Sequence, residues 1–209
     1  MSIAGIWCRT TLEDQSRWFW NYLHNAEDLN LRDYKDRTQL HYAAKLLHTD
    51  AVQTLLARGA DEGARDIEGK TPLHYAASNG HTDTVTALLV HGADVGVKDI
   101  NDNTALHHAA FNGEPGTVTV LLARGADVGV TNNDGNTPLY FAVECRSTAT
   151  VTALLAHGAD VAVRNNREQT PWHLAVLRSR IPFRTVLGTK PAADIVEVLR
   201  AAGSSFLDA

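Results

Sequence analysis

The sequence predicts an all-α solenoid of about five helix-turn-helix repeats joined by β-hairpin-like loops, preceded by a degenerate cap. Three observations predict it. Thr38, Thr71, Thr104, Thr137 and Thr170 follow one another at intervals of 33 residues, and a fixed interval of that length marks a repeat array. With the threonines travel Leu40, Leu73, Leu106 and Leu139, then Ala43, Ala76, Ala109, Ala142 and Ala175, then Gly59, Gly92, Gly125 and Gly158. Each unit also spells two apolar stripes at helical spacing. Helices of about ten residues are marginal alone in water, so such a unit makes sense only in a stack.

Taken in order, residues 1–32 read as the capping region, with short helices over 3–8 and 13–24 whose Trp7, Trp18, Phe19 and Leu23 close the end of the core. Repeats follow at 33–65, 66–98, 99–131, 132–164 and 165–209. The second shows the logic best. Thr71 followed by Pro72 starts a helix, because a hydroxyl at the N-cap accepts an orphan amide and proline in the first turn gives up no bond. Leu73, Ala76 and Ala77 share one face of that helix, and Asn79-Gly80 ends it. A second helix runs from about Thr82, buries Val85, Leu88 and Leu89, and stops before Gly92, which supplies a left-handed C-cap. In the fifth repeat Trp172 opens the first helix, while Ile195, Val196 and Leu199 form the second; Arg200 stands where the others have Leu89, Leu122 and Leu155, which suits a solvated terminal face. Residues 179–191 are an insertion, thirteen residues where the second repeat has Gly80 alone. They mix Arg180, Arg184 and Lys190 with Ile181, Phe183, Val186 and Leu187, and read either as a surface loop or as a contact arm over one end of the groove.

The run Thr71-Pro-Leu-His-Tyr-Ala-Ala with Gly92-Ala-Asp-Val resembles the ankyrin signature, over about residues 33–203. The resemblance implies an ankyrin-repeat solenoid whose His41, His74, His107 and His173 are structural, bonding within and between hairpins. It also implies that residues at the ends of the first helices face a concave groove. Where the family has asparagine after Ala-Asp-Val, this chain has Gly96, Gly129 and Ala162. That removes a commonly hydroxylated residue and leaves the turn to a glycine with positive φ.

Composition narrows the function. A formal charge of −5 argues against a generalised nucleic-acid or anionic-membrane binder, and 44% apolar residues suit a buried core. No run of about 18 apolar residues spans a bilayer, and two cysteines, Cys8 and Cys145, make no disulfide scaffold, so the cytoplasm is the expected compartment. No secretory leader is recognisable at the start. Equivalent histidines of neighbouring repeats stand about 8–10 Å apart, too far to share a zinc ion. No metal or cofactor is expected. His108 replaces Tyr42, Tyr75, Phe141 and Leu174 at its offset and reads as a satisfied, partly buried imidazole. His91 and His157 read as exposed helix ends, favourable to the dipole when protonated.

The expected function is a non-catalytic module that holds a protein or peptide of acidic character on its concave groove; a monomer is compatible with it. Its positive signal is a basic column immediately before each repeat, Arg32, Arg65, Lys98 and Arg164, interrupted once by Thr131. Asp33, Asp66 and Asp99 follow directly and offer ion pairs that would neutralise the column. Beside it Lys45, Leu46, Ser78, Asn79, Phe111, Asn112, Glu144, Cys145, Leu177 and Arg178 occupy the groove offsets, with Asn133 and Asn136 adding polar groups. Aromatic anchors ringed by polar groups suit a protein interface. The alternative is a small-molecule or catalytic site built from His108, Glu144, Cys145 and Arg178 under a lid at 179–191. No phosphate loop, zinc signature or serine elbow supports it.

Overall fold

A computed structural model describes residues 28–179 and 193–207. The expected cap helices at 3–8 and 13–24, with Trp7, Trp18, Phe19 and Leu23, and insertion residues 180–191 lie outside the described residues. Among the described residues ten helices follow in pairs: α1 (Gln39–Lys45) and α2 (Thr49–Ala57), α3 (Pro72–Ser78) and α4 (Thr82–Val90), α5 (Ala105–Asn112) and α6 (Pro115–Ala123), α7 (Pro138–Glu144) and α8 (Thr148–Ala156), α9 (Pro171–Ser179) and α10 (Ala193–Leu207). First helices pack in one row, second helices in another, and each pair packs on itself. The fifth pair joins both rows, so the array continues across the insertion.

The helix starts carry more than the expected threonine hydroxyl. Thr71 and His74 form a capping box in which histidine fills the place usual for Glu or Gln. The Thr71 amide donates to His74 Nδ1 at 3.1 Å and the Thr71 hydroxyl lies 2.9 Å from the same nitrogen. With Nδ1 accepting, Nε2–H donates to the Asn103 carbonyl of the next repeat at 3.2 Å. His41 and His107 repeat the arrangement toward Lys70 and Asn136. One side chain thus caps its own helix and bolts it to the neighbour.

The core lies between the rows. Leu55, Leu88, Leu121 and Leu154 on the second helices and Leu40, Leu73, Leu106 and Leu139 on the first are 0–1% exposed, each contributing about 2 kcal/mol of burial. Threonine pairs stitch the second row, Thr49 to the buried Thr84 at 3.0 Å and Thr82 to the buried Thr117 at 2.9 Å. Gly92 has φ 102 and supplies the expected left-handed C-cap. The turns at Gly96, Gly129 and Ala162 differ from expectation. Gly96 and Gly129 do not take positive φ; instead Asp94, Asp127 and Asp160 accept the amides of Gly96, Gly129 and Ala162 at 2.8–2.9 Å, so an alanine fits equally well. Arg200 is exposed and lies 5.7 Å from the centre of the Trp172 ring.

Candidate partner-binding face

Every repeat opens on a finger, a tight turn held from within. Asp66 Oδ1 accepts the amides of Glu68 and Lys70 at 2.9 and 2.8 Å, and its Oδ2 accepts the Tyr75 hydroxyl at 2.7 Å. Asp33 does the same with Tyr42 at 2.6 Å, and Asp99 with His108 Nε2 at 2.9 Å. These carboxylates therefore do not pair with the basic column; they are turned inward as the fingers' own caps. Burial raises the Asp33 and Asp99 pKa, but the hydrogen bonds they accept win and hold both at about 2. His108 is the satisfied, partly buried imidazole expected, its side chain 20% exposed.

The fingers stack through single backbone bonds. Ile67 N–H donates to the Lys35 carbonyl and Ile100 N–H to the Glu68 carbonyl, both at 3.0 Å. One bond per step makes no ladder, and no strand forms among the described residues.

Along the same edge the basic column forms a ladder of its own. Arg32 donates to the Arg65 carbonyl at 2.8 Å, Arg65 to the Lys98 carbonyl at 2.6 Å, and Lys98 to the Thr131 carbonyl at 3.2 Å. Arg164, past the interruption, bonds within its own finger to the Glu168 carbonyl at 3.2 Å. Lys98 and Arg164 also carry ion pairs, to Asp102 and Glu168, each at 3.7 Å. Both pairs are largely exposed and contribute little to stability.

The inner helix ends present the other predicted residues. Phe111 is 51% exposed and meets Phe141 edge-on at 5.9 Å; Phe141 in turn meets His107 at 5.7 Å. An exposed ring backed by two others is a pre-set anchor. Leu46 and Leu177 are 42% and 51% exposed, and Lys45 and Asn112 are exposed beside them. Asn79 folds its amide onto the Tyr75 carbonyl at 2.8 Å. Glu144 and Arg178 are brought together at 3.1 Å across adjacent repeats. Cys145 is half-buried with Sγ 3.3 Å from the Ala110 and Ala142 carbonyls, and burial pushes its thiol pKa up, away from a reactive thiolate.

Sequence reasoning missed the fingertips. Tyr34, Ile67 and Ile100 are 74%, 56% and 63% exposed, two residues after Arg32, Arg65 and Lys98. The signal was an apolar residue repeated at a loop offset. It was also silent on Leu47, which takes a left-handed φ of 62 where Gly80 and Gly113 take 69 and 73 in the next repeats, and is 58% exposed.

Among the described residues no group of three or more His, Cys, Asp or Glu side chains is placed to hold a metal, and no helix is long and apolar enough to cross a membrane. No curated protein matches the chain. The family model for ankyrin repeats, three copies, matches residues 16–99, 40–132 and 106–198. Those matches together cover the span in which the fingers, capping histidines and paired helices recur, and the chain belongs to the ankyrin-repeat family.

Proposed function

We propose that this chain is a non-catalytic module that holds a protein or peptide of acidic character against its inner helix ends and fingers. Ankyrin repeats in general serve protein–protein interaction. The observation that carries the reading is Phe111, half exposed yet fixed by Phe141, with the exposed amides of Asn112 and Asn79 at the same row of helix ends. A rigid aromatic in a polar surround is the composition of an interface hot spot. The groove chemistry supports it further. His108 is committed to Asp99, Glu144 to Arg178, and the Cys145 thiol is held in its protonated form. A free Cys145 fits a reducing compartment such as the cytoplasm.

The test begins with capture of the partner from the native source. Phe111→Ala should then speed its dissociation by the equivalent of more than about 1 kcal/mol, with folding unchanged. Lys98→Glu with Arg164→Glu should slow association modestly, because each cation already faces a carboxylate at 3.7 Å. A partner indifferent to all three changes would remove the inner face as its site.

A further inference from the structure

Resting on that reading, we infer that the first two fingers read an extended acidic segment that carries apolar side chains, with Arg32, Lys35 and Arg65 meeting its carboxylates and Tyr34 and Ile67 its apolar groups. The five fingers are not equivalent. In the first two, residues 32–37 and 65–70, Arg37 is paired with Asp33 at 2.7 Å and Lys70 with Glu68 at 2.8 Å. Asp66 is buried and spent on its own turn. Arg32, Lys35 and Arg65 remain, and among the described residues no carboxylate lies within ion-pair distance of any of them. Arg32 and Arg65 are exposed and donate only to backbone carbonyls, which satisfies geometry and leaves the charge uncompensated. Against them stands one exposed carboxylate outside any ion pair, Asp36.

The apolar groups occupy the same stretch. Tyr34 is the most exposed large apolar side chain described, at 74%, with the Lys35 ammonium 5.8 Å from its ring centre; Ile67, the tip of the second finger, is 56% exposed. The apolar tips fade along the array and most of the unpaired cations with them; Arg167, at the Lys35 offset of the last finger, is exposed and in no ion pair among the described residues, but has no apolar tip beside it. Ile100 keeps the apolar tip at 63%, but its column residue Lys98 has Asp102 beside it. In the last two fingers the tips are Asn133 and Asn166, whose amides bond the preceding tips' carbonyls at 3.2 and 2.8 Å, and Arg164 is paired with Glu168. Uncompensated cations and exposed apolar tips thus coincide at one end of the array. A partner surface that offers carboxylates alone would leave the tips in water, and an apolar one alone would bury the cations unpaired, at a large desolvation cost.

Two fluorescein-labelled peptides serve as probes, one alternating Glu with Leu and Phe, the other with Lys in place of Glu. The full chain should bind the first at least about tenfold more tightly, with an affinity that falls as salt rises. Lys35→Glu, whose ammonium makes no hydrogen bond and so leaves the fold alone, and Tyr34→Ser should each weaken it, and Arg32→Glu with Arg65→Glu should abolish the preference. Arg164→Glu, in a finger whose cation is already paired with Glu168, should weaken binding far less than Arg32→Glu with Arg65→Glu does. Equal affinity for the two peptides, or insensitivity to Lys35→Glu and Tyr34→Ser in a chain that still unfolds cooperatively, would overturn the assignment. So would tighter binding of a labelled single-stranded oligonucleotide than of the acidic peptide. If a captured natural partner depends on Phe111 but not on Tyr34, Lys35 or Arg65, this inference fails while the inner-face function stands.

Discussion

Thr137 stands where Thr38, Thr71 and Thr104 stand, yet its hydroxyl is buried and bonded to nothing, because Tyr140 replaces the histidine that serves the other three. The Tyr140 hydroxyl reaches across instead to Gln169 Oε1 at 3.3 Å, keeping the inter-repeat bolt and losing the cap. The same substitution should therefore have different effects in neighbouring repeats. Thr104→Val should cost about 1 kcal/mol by breaking the bond to His107, whereas Thr137→Val should be neutral or raise the denaturation midpoint, since it removes an unsatisfied buried group. Equal losses at both sites would mean the Thr137 hydroxyl has a partner after all. The capping histidines also set the response to acid. Burial lowers the His74 and His107 pKa from 6.5 to about 4, and lowers His41 in the same direction. Above pH 6.5 these rings are neutral in both states and confer no pH dependence. As pH falls from 6.5 toward about 4 the unfolded chain takes up protons that the folded one refuses, so stability falls, by up to about 1.4 kcal/mol per pH unit for each histidine. Asp33 and Asp99, at about 2 against 3.8, add a separate loss below that range. Urea midpoints at pH 7.5 and 5 check this, and His74→Gln should reduce the difference; a flat profile would contradict it.

At the level of elements, helix starts and stops were legible because each depends on a residue type at a fixed place: threonine then proline, or glycine past the last turn. The paired substitutions of the fingers emerge only once the structure shows the bonds. Asp33, Asp66 and Asp99 coexist with the donors Tyr42, Tyr75 and His108, while Phe141 and Leu174, which lack a donor, come with Asn132 and Asn165. Those asparagines bond the preceding finger instead, at 2.9 Å to Asn103 and Asn136. What sequence could not show was the ladder of the basic column, since its acceptors are backbone carbonyls, which every residue has. The left-handed turn between α1 and α2 was hidden for a related reason: backbone conformation there is imposed by the repeat, not chosen by Leu47. Leu47→Gly should relieve that strain and, after the entropy a glycine costs, raise stability by about 0.5–1 kcal/mol. A lower midpoint would show that the exposed leucine packs on something. Gly125→Val offers the converse, since nothing lies within 4 Å of a Cβ there and φ is +87: any loss is backbone strain alone.

Across the whole molecule the two rows of helices divide the work. The inner row and its fingers carry the exposed anchors, and the outer row closes the core with leucines and threonine pairs. Stability of such an array is nearly a sum of repeat and neighbour terms, so substitutions on the inner face should leave folding intact. That separation lets function be tested alone. The most direct measurement is the affinity of the partner captured from the native source for the chain carrying Phe111→Ala and Arg65→Glu together, beside the unaltered protein at matched salt. A loss of about tenfold or more is expected, divided between faster dissociation from the lost ring and slower association from the reversed charge, with cooperative unfolding retained and the midpoint lowered only by the lost Arg65–Lys98 bond and Phe111 contact. An unchanged affinity in a folded chain would contradict it and move the partner to another face.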